Sequence, residues 1–155
     1  MPRLTFFGVC QKAIVDRQDG NVSMISLLHS ITVQIAGEEE LPEDAAVPAL
    51  WATVATWLRE PSDEGRTFQS RVELLSPSGE LAIPPIDGEP FNPVTITNTT
   101  ITNAMGLPAS QPGRYTVRVS LREVGTAEWH EAGAIPLEIV YHRAAPERSE
   151  VVSSL

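Results

Sequence analysis

The chain has no second cysteine, and that absence excludes two common ways of stabilising a small fold. Cys10 is the only cysteine among 155 residues, so no disulfide can form within the chain and no cysteine cluster can hold structural zinc. A chain of this length buries enough apolar surface to fold without either. We therefore expect one domain that folds in a reducing compartment.

Basic residues are also scarce. Lys and Arg together number 11 against 20 Asp and Glu, which leaves a formal net charge of -9. An acidic protein of this kind is poorly suited to bind nucleic acid or an anionic membrane, so we expect neither as a partner. Lys12 is the one lysine among the basic residues, and we take this bias towards arginine to indicate a GC-rich bacterial genome.

A long hydrophobic run is missing too. The apolar stretch near the N-terminus is interrupted at Gln11 and Lys12, too early for the apolar region of a signal peptide. No run approaches the length of a membrane span, while a hydrophobic content of 42% is too high for a disordered chain. We therefore expect a folded cytoplasmic protein.

Period-two alternation of apolar and polar residues dominates the rest of the chain, and helical periodicity is nowhere sustained. The predicted strands are 4–15, 22–35, 49–59, 67–75, 81–83, 94–103, 115–122 and 135–141. Short strands separated by Gly, Pro, Asn and Asp turns predict an all-β fold, an antiparallel immunoglobulin-like β-sandwich of seven to eight strands. The apolar parity changes within 94–103, which predicts a bulge near Asn98.

The domain boundary follows from where this alternation stops. Residues after His142 show neither a period nor turn chemistry. We therefore assign residues 1–142 to the β-sandwich domain and residues 143–155 to a flexible C-terminal tail.

The segment 109–117 carries the most specific local pattern. Pro112 and Gly113 form a turn, and Tyr115 follows the glycine by two residues at the start of a strongly alternating strand. This arrangement resembles the tyrosine corner of immunoglobulin-like and fibronectin-like sandwiches, whose phenol donates a hydrogen bond back to the preceding connection. The paired core cysteines of antibody domains are absent, so the resemblance is to the architecture.

Four longer patterns extend a resemblance over most of the domain. They are Phe7-Gly8-Val9-Cys10-x-x-x-Ile14-Val15-Asp16, Gly20-Asn21-x-Ser23-x-Ile25, Ser76-Pro77-Ser78-Gly79 and Leu107-Pro108-x-x-x-Pro112-Gly113-x-Tyr115. With these patterns the chain resembles a family of small bacterial single-domain β-sandwich proteins to which no activity is assigned. The resemblance implies a fold and brings no known mechanism.

Patterns of catalytic residues are absent from the sequence. Cys10 lies within a predicted strand without an adjacent base, and His29 shares the apolar parity of its strand, where a neutral imidazole is more common than a ligand. The sequence contains no Gly-x-Ser-x-Gly, no histidine pair at metal-ligand spacing and no phosphate-binding glycine loop. We therefore expect a protein that is not an enzyme and uses no cofactor.

The strongest candidates for a binding surface are two tryptophans in the predicted strand 49–59. Trp51 and Trp57 have the parity opposite to Leu50 and Val54, so if the latter face the core, the tryptophans lie on an outer face with Thr53 between them. Such a surface suits a protein partner or a second copy of the chain, with carbohydrate stacking as the alternative. A strand buried on both sides would explain the same pattern.

Acidic loops support a further alternative, a calcium site, because calcium takes oxygen ligands from several carboxylates and carbonyls. If successive strands run alternately up and down, Asp16 and Asp19 lie at the same end of the sandwich as Asp63 and Glu64, and the acidic connection 36–48 lies at the opposite end. Eight acidic and two basic residues fall between positions 37 and 66. Solvated loops that keep an acidic protein soluble explain these residues better, because the sequence has no Asp-x-Asp-x-Asp pattern, so we predict no metal and keep calcium as the weaker alternative.

Overall fold

The computed structural model describes residues 1–145, which form nine strands and one short 3-10 turn at Pro61–Asp63. The strands are β1 (Arg3–Val15), β2 (Val22–Leu27), β3 (Ser30–Ala36), β4 (Ala46–Leu58), β5 (Phe68–Leu75), β6 (Ile86–Asp87), β7 (Thr97–Pro108), β8 (Gly113–Glu123) and β9 (His130–Ala144). One sheet has four strands in the order β2-β1-β4-β7, and the other has five in the order β3-β9-β8-β5-β6. Within residues 1–145, no helix is long and apolar enough to cross a membrane.

The prediction of an all-β fold built from two sheets is confirmed, and two details differ. The described strands number nine rather than seven or eight. Strands β3 and β9 run parallel, while the other paired strands are antiparallel. The sandwich is therefore not purely antiparallel.

The segment predicted as one strand at 22–35 divides between the two sheets. The backbone N–H of Leu28 donates to the carbonyl of Val9 in the four-stranded sheet at 2.8 Å, and the N–H of Glu138 in the five-stranded sheet donates to the carbonyl of His29 at 3.0 Å. The chain thus passes from one sheet to the other between two adjacent residues. Alternation continues almost unbroken through the crossing, so period-two reasoning could not detect it.

The core lies between the inner faces of the two sheets, and β4 contributes its largest members. Trp51 is 1% exposed and Trp57 is fully buried. From the opposite sheet, Tyr115 is 1% exposed and Phe68 is fully buried. Thr53 lies between the tryptophans and is 1% exposed. The prediction that these two tryptophans and Thr53 face outward is therefore wrong.

Hydrogen bonds from both indoles explain this orientation. The Trp57 Nε1–H donates to Thr100 Oγ1 at 2.9 Å, and the Trp51 Nε1–H donates to the Gly106 carbonyl at 3.0 Å. A buried tryptophan needs an acceptor for its N–H, and both acceptors belong to the neighbouring strand β7. The core-facing tryptophans therefore also fasten β7 to β4.

Two further sequence predictions concern β7 and the connection that follows it. Pairing of β4 with β7 is continuous from Thr97 to Met105, and the irregularity lies between Val47 and Leu50, so the predicted bulge near Asn98 is wrong. The Tyr115 hydroxyl donates to the Gln111 carbonyl at 2.8 Å. The hydrogen bond expected of a tyrosine corner is thus present.

The C-terminal boundary lies slightly later than predicted. Strand β9 continues through Ala144, and the Arg143 guanidinium donates to the carbonyls of Gly37 and Glu39, each at 3.0 Å. The predicted tail 143–155 therefore begins two residues too early. Residues 146–155 of that tail lie outside the described residues.

We predict that Trp57→Phe lowers the free energy of unfolding by roughly 1–3 kcal/mol, because it removes a buried hydrogen bond and leaves a small void. Trp57→Ala should cost about 3–5 kcal/mol. Trp129→Phe, at a half-buried surface tryptophan, should lower the free energy of unfolding by less than Trp57→Phe does. Urea unfolding of the three variants measures the differences, and equal losses at both positions would show that the Trp57 environment is not the core described above.

Candidate functional site

The outward surface of the four-stranded sheet is the candidate site. The registers of β1, β4 and β7 place its residues in five rows across the sheet, and the row at one end is Arg3, Leu58 and Thr97. The other four rows are Phe6, Thr56 and Thr99; Gly8, Val54 and Ile101; Cys10, Ala52 and Asn103; and Leu50 with Met105. None of the residues in these four rows is charged. We call this set the uncharged face.

Three large apolar side chains of the uncharged face are open to solvent. Phe6 is 46% exposed, Leu50 is 67% exposed and Met105 is 78% exposed. Leu50 and Met105 are direct cross-strand partners, so their side chains lie side by side on the same face. Adjacent apolar side chains exposed on a sheet are typical of a protein-binding surface.

The centre of the uncharged face is a small apolar cluster. Cys10, Ala52 and Val54 are at most 3% exposed, and Met24 and Ile101 pack against them. Burial raises the pKa of the Cys10 thiol. Two backbone hydrogen bonds lower this pKa, but by less than burial raises it. The thiol therefore stays protonated and acts as a small apolar group rather than a nucleophile.

Glycine at position 8 shapes the same surface. A Cβ atom at Gly8 would lie 2.9 Å from Met24 Cε and 3.0 Å from Phe6 Cζ. Both atoms are the ends of flexible side chains, so a larger residue at position 8 would make Met24 and Phe6 move aside. The space above Gly8 is therefore filled by the ends of the Met24 and Phe6 side chains.

The other residue considered for catalysis, His29, lies beyond the edge of this face. It borders a cavity of about 240 Å³ beside Phe6, Leu27, Ile135 and Pro136, and within residues 1–145 it is the only polar side chain lining that cavity. General acid–base chemistry needs a second polar group within hydrogen-bond reach. The cavity walls offer His29 none.

The predicted binding residues Trp51, Thr53 and Trp57 belong to the opposite side of the same sheet. Both parities of β4 are apolar, and both are buried along most of the strand. Alternation therefore could not tell which parity faced outward, and the outward residues are Leu50 and its same-parity neighbours. Sequence reasoning missed Met105 and Ile101 as well, although residues 90–113 contain no Asp, Glu, Lys, Arg or His, which is a visible signal.

The acidic residues considered for calcium do not converge. Asp16 and Asp19 lie in the turn after β1 and accept hydrogen bonds from nearby backbone N–H groups, whereas Asp63 and Glu64 follow β4, whose last residue pairs with the first residue of β1. The two pairs therefore lie at opposite ends of the sandwich, and the prediction that they share one end is wrong. The connection 37–45, predicted at the far end, lies at the end of Asp16 and Asp19. The described residues contain no group of three or more metal-binding side chains.

A second outer surface, on the five-stranded sheet, is already occupied by its own side chains. The guanidinium carbons of Arg71 and Arg122 lie 4.2 Å and 4.3 Å from the centroid of the Trp129 ring. Arg71 also pairs with Asp87 at 2.6 Å, and Arg122 bonds Gln69 at 2.9 Å. Stacked guanidiniums with satisfied hydrogen bonds stabilise the sheet and leave little of the ring for a ligand.

Asp63 has a structural role at the end of the sandwich. Its side chain is fully buried, its Oδ1 lies 2.8 Å from the α-ammonium of Met1, and its Oδ2 accepts from the Glu60 N–H at 2.9 Å. Burial alone would raise the pKa of this carboxyl. The hydrogen bonds from Met1 and Glu60 and the positive charges of Met1 and Arg66 outweigh burial and hold the pKa below its ordinary value.

We predict that Asp63→Asn lowers the free energy of unfolding at pH 7 by roughly 1–3 kcal/mol. A carboxyl whose pKa is lowered by folding stabilises the fold above its unfolded pKa of about 3.9, and the contribution disappears as pH falls through the folded pKa. The wild type and the variant should therefore converge in acid. Denaturant unfolding at pH 7 and pH 3 checks this, with Asp19→Asn in an exposed turn as the matched control; a gap that persists unchanged in acid would contradict it.

No protein-family model matches the chain, and no curated protein matches its sequence. The function is therefore inferred from the chemistry of the uncharged face itself.

Proposed function

We propose that the protein is a non-catalytic interaction module that binds another protein chain through the uncharged face. The observation that carries this proposal is the adjacent exposure of Leu50 and Met105, in a surface without charge on a chain of net charge -9. Large exposed apolar side chains release ordered water when a partner covers them, and this burial drives association.

The shape of the face supports the same reading. Cys10, Ala52 and Val54 form a buried floor, and Phe6, Leu50 and Met105 stand above it. A packed floor with projecting apolar groups orders few side chains on binding, so little conformational entropy is lost. A deep pocket for a small molecule would need concave walls and convergent polar groups, which this face does not offer.

The residues on which the carbohydrate and calcium alternatives were based are not arranged to form such sites. Carbohydrate binding relied on Trp51 and Trp57, and both are buried. Calcium binding relied on acidic side chains at one end, and these lie at two ends. The proposal retains three predictions from the sequence: a cytoplasmic location, an immunoglobulin-like architecture and the absence of enzymatic activity.

We predict that Leu50→Glu and Met105→Glu each weaken capture of the partner by at least about tenfold, since each change places a carboxylate in a desolvated apolar contact. The full chain is immobilised as bait in a bacterial extract, and captured proteins are quantified by mass spectrometry. Both variants should unfold like the wild type, because both positions are exposed.

Val124→Glu is the matched control, since Val124 is also exposed but lies outside the uncharged face in the turn after β8. It should capture the partner as the wild type does. Capture that survives both face variants, or that Val124→Glu reduces equally, would remove the uncharged face as the binding surface.

A further inference from the structure

Strand β7 has one side that pairs with β4 and one side that is open. It is the last strand of the four-stranded sheet, and no other strand of residues 1–145 pairs with its outer edge. The Arg59 N–H donates to the Ile96 carbonyl at 2.8 Å, so the backbone groups of Ile96 point towards β4. In an antiparallel ladder the direction alternates, so the N–H and C=O groups of Thr97, Thr99, Ile101, Asn103 and Met105 point away from β4.

This open edge lacks the devices that normally prevent edge-to-edge pairing. Proteins protect an edge strand with charged side chains, proline, a bulge or short length. Strand β7 pairs regularly over Thr97–Met105, and no residue from 90 to 113 is charged. The opposite end of the other sheet, by contrast, closes with β6, which is two residues long and ends in Asp87.

We propose that the outer edge of β7 binds the same edge of a second copy of this chain, antiparallel, with Ile101 opposite Ile101. The inference rests on the proposed function and names its partner. Regular pairing with β4 extends from Thr97 to Met105, and Ile101 is the middle of that segment. A two-fold axis at Ile101 therefore pairs the outward-pointing backbone groups of the segment. The Thr97 carbonyl at one end also accepts a hydrogen bond from Thr95 Oγ1 at 2.7 Å.

Charge favours a second copy at this edge. Two chains of net charge -9 repel each other over most of their surfaces. The stretch 90–113 is where they can approach without bringing like charges together. A basic partner would instead be drawn towards acidic side chains such as Glu43 and Asp44, which line a cavity with Met105 at one end of this segment and not at its middle, Ile101.

Side chains also match under this register. On the uncharged face Ile101 meets Ile101 of the second copy, and Thr99 lies opposite Asn103 of the second copy, a pair able to hydrogen-bond. On the inner side Thr100 lies opposite Thr102, and Thr100 is already held by the Trp57 indole. The exposed pair of Leu50 and Met105 in each copy then flanks the new contact. Because the two β7 edges pair, the two four-stranded sheets join into one continuous sheet of eight strands.

The Trp51 and Trp57 hydrogen bonds prepare the edge for this contact. Both bonds end on β7, so the strand is held in extended conformation before a partner arrives. A preformed strand loses little conformational entropy when another strand adds to it.

Sedimentation equilibrium of the purified full chain tests the proposal. The wild type should reach twice the chain mass of 16.8 kDa as concentration rises. Asn103→Pro removes an N–H that points outward, so it should weaken the dimer at least about tenfold while leaving the bonds to β4 intact. Ile101→Lys brings two like charges together at the axis and should have the same effect, whereas Val124→Lys should not.

The register has its own test. Ile101→Cys places two thiols opposite each other, within about 4.5–5.5 Å between Cβ atoms, so a short bifunctional thiol reagent should link two chains efficiently. Cys10 is buried and should not contribute. Thr126→Cys, in the turn after β8, is the matched control and should link only at the rate of random collision.

The outcomes separate the two proposals. A wild type that stays monomeric at all concentrations overturns the second-copy assignment, as does a dimer unaffected by Asn103→Pro and Ile101→Lys with no cross-link at position 101. If capture of another protein still depends on Leu50 and Met105 in that case, the protein-binding function stands with a different partner. If the dimer forms as described and capture is indifferent to both residues, the uncharged face serves only self-association.

Discussion

The hydrogen bonds of two buried indoles organise the four-stranded sheet. Trp51 and Trp57 fill the core and donate to acceptors on β7, so a single strand, β4, supplies both the largest core side chains and the attachment of its neighbour. Because the tryptophans occupy the inner side of β4, the alternate residues must face outward. The exposed pair of Leu50 and Met105 is a direct consequence of that choice.

The outward side of the same sheet is apolar for a second reason. Cys10, Ala52 and Val54 are buried there by their neighbours rather than by the opposite sheet. The sheet therefore has apolar contacts on both sides, and the outer one is only partly covered. A surface of this kind retains apolar area that a partner can cover, and the open edge of β7 adds unpaired backbone groups beside it.

Agreement between sequence and structure depends on how the polar residues are placed. The sequence locates β5 and β8 to within two residues because charged residues mark the solvent side, as Arg118 and Arg122 do in β8, whereas β9 extends beyond the predicted 135–141 at both ends. Strand β4 was located but turned the wrong way, because Ala52, Val54 and the tryptophans leave no polar parity. The sequence does not reveal the passage from β2 to β3, because alternation continues across it. Taking 22–35 as one strand instead of two reverses the expected direction of β4, and for this reason Asp63 is predicted at the wrong end of the sandwich relative to Asp16.

By itself the sequence determined an all-β fold, most strand positions, the Tyr115 corner and the absence of a recognisable catalytic pattern, since these depend on local periodicity and turn chemistry. Only the tertiary structure decided which side of β4 faces the core, that β3 pairs in parallel with β9, and that β7 ends its sheet. These features depend on which distant strands meet, as when Trp57 finds its acceptor on Thr100. Contacts of that range leave no trace in the local pattern of either strand.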